Sequence, residues 1–547
     1  RRRRRPRRHR PHPRGDALTC PAELPRSPRA ESRGLVLLFA LLGGCQCVQL
    51  EDYRVCDATV DCGEAPDASV TNDAGPTPSD GGLDAGPCVP DGQVDVLDPA
   101  GADTDCDGVD GVADRQLYVS PQGNDLTATP GNRALPFATL GAALRAAATL
   151  DGGADAVLVQ QGAYDEQGVQ WTADVDVWGG RSGIGRWEPT GSVSNLRGGS
   201  VALVVRDVQG RTLRGFQVYA ESGSPTSIAV LVESGSPRFV DVQLFAGAGG
   251  AGRGGGTLAI SDAGPGLPGQ RGVTGQFDRD PDAGGPGVCG GEAGFPGGVG
   301  AKSAGGNGGD GDGPGGGAGG QGTDCTMLSA QAGPGADGDA GVDGLPGVSA
   351  SGFGALDLNL VWVGADGTTG TNGSVGKPGS GGGGGGEGPL STNETSSGGA
   401  GGSGGCPGGA GQGGRSGGPS IGLVVRGGRP FLGADTFIVA GAGGAGGPGG
   451  SGGPGFPGGA GGGSGPFPAT PQCSVYPYGS GAAGGAGGRG GAGGPGGGGA
   501  GGHSLAVYCD LDGGLDVDGG TLMPGSGGPG AGSARAGASL SAQGCQP

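Results

Sequence analysis

The stretch "SIAVLVESGSPRFVDVQLFAGAGGAG" at 227–252 returns, almost without gaps, as "SIGLVVRGGRPFLGADTFIVAGAGGAG" at 420–446. A looser third copy, "SLAVYCDLDGGLDVDGGTLMPGSGGPGAG", starts at Ser504. Each copy has a short apolar strand, a turn, a second strand and then glycine. Two strands and two turns in roughly 20 to 25 residues make one coil of a parallel solenoid, whose inward side chains stack on the coils above and below. "VALVVRDVQGRTLRGFQVYA" from Val201 and "GALDLNLVWVGADG" from Gly354 supply further strands. A β-sandwich would also give short strands, but it would not open glycine segments at the same place in every copy.

Those glycine segments are insertions between coils, at 247–350, 364–419 and 441–502. With 145 glycines and 42 prolines in 547 residues, only part of the chain can build a core. A plain reading is a flexible low-complexity loop, since glycine loses the most entropy on ordering and offers no apolar surface. The period argues for order: "GGAGGPGGSGGPGFPGGAGGG" at 443–463 keeps glycine at every third position through seven triplets. Three residues per turn is the polyproline-II period, so such a run makes a rod of roughly 65 Å. Collagen-like trimerisation fits poorly, because the runs are short, proline is sparse and many triplets are Gly-Gly-X, bare on two faces. A rod bare on two faces can be flanked by neighbours on both, as in the polyglycine-II bundles that these segments resemble. The third insertion further looks like a hairpin, with "SGPFPATPQCSVYPYGS" as its reversal.

The body opens with Tyr118-Val119-Ser120-Pro121-x-Gly123-Asn124-Asp125. Pro136-Phe137-x-Thr139-Leu140-x-x-Ala143-Leu144 follows, an amphipathic helix starting near Thr139, and then Val157-Leu158-Val159-x-x-Gly162-x-Tyr164. This order resembles the start of many bacterial right-handed parallel β-helix proteins of the pectin-lyase-like superfamily, over residues 115 to 190. The resemblance implies an all-β, right-handed parallel β-helix with an N-terminal capping helix. Coils would lie at 115–246, 351–363, 420–440 and 503–547. It also implies that polysaccharide lyase or hydrolase chemistry must be weighed. Hydrolysis needs clustered carboxylates and a lyase needs a basic proton acceptor, but Asp174, Asp176, Asp241 and Asp435 are scattered. Arg206, Arg211 and Arg214 read as turn residues, and no catalytic residue is assigned.

The formal charge of −19 hides a split. The first 34 residues carry twelve arginines against Asp16, Glu23 and Glu31; the remainder holds 21 basic and 49 acidic residues, net −28. So acidic a body argues against nucleic acid as a partner. Arg33 and the apolar run Leu35 to Leu42 form a secretion signal too short to span a membrane. Leu42-Gly43-Gly44-Cys45 resembles the bacterial lipobox, which implies that Cys45 carries lipid. Gln46 after it fits a Gram-negative outer membrane, hence a place on the bacterial cell surface. The head, residues 1–44 with this signal, has no initiator Met; its arginines read as over-extended upstream translation and receive no function.

Residues 45–102 read as a disordered Asp/Pro/Ser tether. In 103–114, "DTDCDGVDGVAD" places Asp103, Asp105 and Asp107 at alternate positions, Gly108 at the bend and Asp114 twelfth, the order of an EF-hand-type calcium loop. Asp110 stands where an apolar residue belongs and no helices flank it, so a solvated acidic turn fits as well. Calcium is the one cofactor suggested, and none is required. Thirteen cysteines in an exported chain should mostly pair; Cys289 with Cys325 is the first pair to test. The expectation is a non-catalytic, lipid-anchored surface protein with a structural, adhesion or display role. Its partners would be outer-membrane lipid and a glycan or surface protein, and its oligomeric state stays open. The alternatives are a carbohydrate-active β-helix enzyme and a collagen-like oligomer.

Overall fold

The computed structural model describes Pro90, Gly92 and residues 94–546 apart from 151–152, 224, 274–283, 302–308, 322–330, 358–361, 386–394 and 467–479. The chain divides into two units, Arg1–Gly82 and Leu83–Pro547, and the described residues belong to the second. Their helical content is small: α1 (Leu140–Ala147) and one 3-10 turn (Ala113–Arg115).

The strands come in short runs. Gln116–Val119 (β1), Ala156–Gln160 (β2), Gly162–Asp165 (β3), Val169–Trp171 (β4) and Asp176–Arg181 (β5) are followed by Ser194–Arg197 (β6), Val201–Val205 (β7) and Val208–Tyr219 (β8). Then come Ser227–Val232 (β9) and Gly235–Ala246 (β10), and the small Ala355–Leu356 (β11) and Trp362–Val363 (β12). The last are Ser420–Gly428 (β13), Phe431–Leu432 (β14), Phe437–Ala440 (β15), Ser504–Gly513 (β16), Asp516–Val517 (β17), Thr521–Met523 (β18) and Ser539–Gln543 (β19).

One sheet runs β1-β2-β5-β8-β10-β14-β17 and takes in β3, β6, β15 and β18; a second runs β4-β7-β9-β13-β16-β19. Every pairing within them is parallel. From β7 onward the chain alternates between the two, β7, β9, β13, β16 and β19 in the second sheet and the strands between them in the first. β11 and β12 stand outside this alternation as a separate antiparallel pair. This arrangement is compatible with a parallel β-helix or solenoid-like fold.

Register explains the repeats. Ser227, Ser420, Ser504 and Ser539 are successive partners, so the three sequence copies stack directly and a fourth strand extends them. Two apolar ladders face each other across the interior. Leu117, Val157, Val177, Leu213, Phe239 and Leu432 form one; Val169, Leu203, Val230, Leu423 and Val507 form the other. All belong to one buried cluster. Burial of each such side chain contributes about 1.5–3 kcal/mol.

The second sheet is also covered on its other face, where Ile228, Leu231, Ile421, Val424 and Leu505 pack under Leu356 and Trp362. That is why "SIAVLV" is apolar throughout instead of alternating: all six residues of β9 are buried. Helix α1 is N-capped by Thr139, whose side chain accepts from Ala142 N, and turns Leu140, Ala143, Leu144 and Ala147 into the core. Glu166 accepts from Leu140 and Gly141 N at 2.6 and 2.8 Å, which holds the helix start against the strands.

Candidate functional site

The glycine-rich segments carry neither helix nor strand over most of their length, yet they are hydrogen-bonded throughout. Gly444, Gly447, Gly450, Gly453, Phe456, Gly459 and Gly462 donate in turn to the carbonyls of Gly418, Arg415, Gln412, Gly409, Cys406, Ser403 and Ala400. Each step is three residues forward on one segment and three back on the other, so the two run antiparallel with the period of a three-residue turn. Segment 484–502 donates back to 444–462 in the same way. Segment 399–417 donates to 482–500 in parallel, which closes a ring of three mutually bonded segments. Segments 249–272, 285–301, 335–350 and 367–385 join around them through further bonds of this kind.

Glycine content tracks position in this assembly. In the Gly-Gly-X run near 446, a Cβ on Gly446 would sit 2.0 Å from the Gly499 carbonyl oxygen, and one on Gly447 would sit 2.1 Å from that of Arg253. Both glycines of the triplet therefore face a neighbour. In the Gly-X-Y run 335–350 only one does: Gly341 faces Ser374 O, while Val342, Leu345 and Val348 are 75%, 69% and 70% exposed. A run with two glycines per triplet has neighbours against two of its faces, and this one-glycine segment lies at an edge.

Edge segments leave backbone donors that no neighbouring carbonyl reaches, and hydroxyls take them. Thr368 Oγ1, Thr371 Oγ1 and Ser374 Oγ accept from Val348, Leu345 and Val342 N at 2.7, 2.6 and 2.7 Å. Asp337 and Asp343 Oδ1 accept from Ala486 and Ala492 N, each at 2.7 Å. Sequence reading passed over these residues, although the three-residue spacing of Thr368, Thr371 and Ser374 was there as a signal.

The disulfides tie segments far apart in the chain. Cys289 is bonded to Cys406, not to the expected Cys325, which lies outside the described residues. The reason is topological: the run around 294–301 lies against 379–401, so Cys289 meets the second insertion rather than its own. Closing a span of 117 residues constrains the unfolded chain, worth about 2–4 kcal/mol in typical cases. Cys509–Cys545 ties β16 to the chain beyond β19.

The aspartate-rich loop differs from its expected form. Asp95, Asp103 and Asp105 offer carboxylate oxygens within 4.8 Å of one another, a set of hard donors of the kind calcium takes. Asp107 and Asp114 stand outside it. Asp107 instead accepts from Val109 and Ala113 N at 3.1 and 2.9 Å, and Asp114 is exposed. The Asp107 N–H bonded to Asp105 holds its pKa down; burial and the charges of Asp107, Asp95 and Asp103 outweigh this and raise it above the ordinary value. Gly108, at φ +95°, makes the bend expected of it.

Asp110, out of place in a calcium loop, is a buried ion-pair partner. It lies 3.2 Å from Arg181, with both side chains almost fully enclosed. Burial pushes the Asp110 carboxyl up and the Arg181 guanidinium down, against their mutual attraction. Asp98 N donates to Asp110 at 2.9 Å, and Arg181 also lies over the Trp178 ring at 5.3 Å. With Val109 packed among Tyr118, Leu158, Trp178 and Trp187, residues from Asp95 onward form part of the folded body.

The arginines weighed for catalysis are all engaged. Arg206 pairs with Glu233 at 2.5 Å, Arg211 with Asp174 and Asp176 at 3.5 and 3.8 Å, and Arg214 lies over Trp178 at 5.6 Å. Asp241 and Asp435 are exposed and join no group of three acidic residues among the described residues. Cys45 lies outside the described residues, and among those described no helix is long and apolar enough to cross a membrane. No family model, curated protein or solved structure matches the chain.

Proposed function

We propose that this chain is a non-catalytic, lipid-anchored surface protein in which a right-handed parallel β-helix carries a bundle of polyglycine-II rods for structural or adhesive display. The observation that carries this reading is the three-residue ladder of backbone bonds linking segments from all three insertions. An arrangement so dependent on bare glycine serves no chemistry that needs positioned side chains. It does give a stiff body of mainly backbone, suited to display outside a cell.

Supporting the non-catalytic side, Arg206, Arg211 and Arg214, with Asp174 and Asp176, are engaged in ion pairs and a ring contact. The rod contacts all run within one chain, so no collagen-like trimer is needed to satisfy them. Acylation of Cys45 would hold the body at the outer membrane, with a glycan or surface protein as partner.

The test is expression of the full chain in a Gram-negative host with a clickable palmitate. Label is expected on the wild type and absent from Cys45→Ala, with the body open to protease on intact cells. An unlabelled wild type overturns the anchor. Depolymerisation of any polysaccharide in a panel would move the reading to an enzyme, and sedimentation as a trimer would move it to a collagen-like oligomer.

A further inference from the structure

His503 stands where the third insertion ends and β16 begins at Ser504. Its side chain is almost wholly buried, stacked on Phe353 with ring centroids 3.6 Å apart and edge-on to Trp362 at 5.3 Å. Nδ1 accepts from Ala538 N at 2.8 Å, and Nε2 faces the Phe353 carbonyl oxygen. Only one form of the ring satisfies both contacts, the neutral tautomer with its proton on Nε2. A second proton on Nδ1 would point an N–H at the N–H of Ala538.

The partners of this ring come from several of the passages between sheets and rods. Phe353 and Trp362 belong to the stretch that leads from the first insertion to the second. Ala538 ends the tail that leaves β18 and returns as β19, and Gly502, next in the chain, donates to Gly444 in the third insertion. We propose that His503 is an acid-operated latch: neutral, it pins Phe353, Trp362 and the 535–538 tail to the end of the rod bundle, and protonated, it releases them.

The charges around the ring favour this. From the tail, Arg535 lies over the Phe353 face at 5.9 Å and opposes a second cation. The other ionisable groups near these elements are Asp357, whose backbone carbonyl accepts from Arg426, and Arg426, Asp510 and Tyr508; Arg426 and Asp510 act on Tyr508, which meets Trp362 from β16. Burial is the main cause that lowers the His503 pKa, joined by Arg535 and opposed by the bond to Phe353. A histidine with its folded pKa below the unfolded value stabilises the fold fully above about pH 6.5, and that contribution is lost as pH falls toward the folded value.

The experiment follows the imidazole C2–H signals of the full chain by NMR, with His503 assigned by its loss in His503→Gln, beside amide exchange at Ala538. A His503 midpoint below about 6.5, the value of an unperturbed imidazole, is expected. The protection factor of Ala538 should fall at least tenfold between pH 7.5 and 5 in the wild type. Arg535→Gln should raise the midpoint and move that loss of protection to higher pH, which keeps the test valid should His503→Gln fail to fold. A His503 midpoint at or above about 6.5 would overturn the proposal, as would Ala538 protection that stays constant while His503 titrates.

Discussion

Around Ser227, Ser420 and Ser504, neighbouring chain segments meet through side chains, with Val230, Leu423 and Val507 fully buried and stacked. Some 14 to 26 residues from Ser420 and Ser504 in the chain, around Gly402, Gly446 and Gly490, neighbours meet through bare backbone, close enough that a single added Cβ would sit 2.0–2.1 Å from a carbonyl oxygen. Both regions satisfy their backbone groups through lateral hydrogen bonds. They differ in what fills the space between: apolar volume in one, nothing at all in the other. The first should tolerate swaps that conserve volume. The second should tolerate no side chain on an inward position and almost any on an outward one.

This contrast can be broken in graded steps, read as unfolding free energies from denaturant titration. The largest effect belongs to the contact between the aspartate-rich loop and the sheet. Arg181→Met strands a buried carboxylate and is expected to cost about 3–5 kcal/mol, most of it recovered by adding Asp110→Leu; no recovery in the double variant would mean the pair is not what docks the loop. Leu423→Ala, in the middle of the inner ladder, should cost about 2–5 kcal/mol, and Leu423→Met less than about 1.5.

Gly402→Ala sharpens the comparison most, because it adds one methyl where the Gly459 carbonyl oxygen lies 2.1 Å from the Cβ position. A loss of about 1–3 kcal/mol is expected from so small a change. A neutral result there would show that the segments do not pack as described. Thr371→Val keeps the shape but removes the acceptor for Leu345 N, for about 1 kcal/mol. Val342→Ala, on the exposed edge, should fall within about 0.5 kcal/mol of wild type.

How much of this was legible in sequence varied by region, for physical reasons. Stacking of the Ser227, Ser420 and Ser504 copies could be read directly, since a repeated apolar block must repeat its partner. The helix after Thr139 was legible from its cap and its apolar spacing. Less legible was Asp110: an acidic residue among others gives no sign that it will be the enclosed one, and only the approach of Arg181 from 71 residues away makes it so. Asp95 joined Asp103 and Asp105 for the same reason, through a fold of the loop that spacing does not encode. The partner of Cys289 was likewise hidden, because it depends on which glycine runs become neighbours.

By itself the sequence determined the local rules of this protein. Short apolar blocks between turns require strands, triplets of glycine require a three-residue turn, and two bare positions per triplet require neighbours on two sides. Which neighbours those are was decided only in three dimensions. The segment 396–411 is enclosed, while 335–350 is left at an edge with Thr368, Thr371 and Ser374 serving its amides. Glycine runs are nearly identical to one another, so local composition cannot specify their order. The stacked parallel strands fix where each insertion leaves and returns, and Cys289–Cys406 links two of the insertions once they have met.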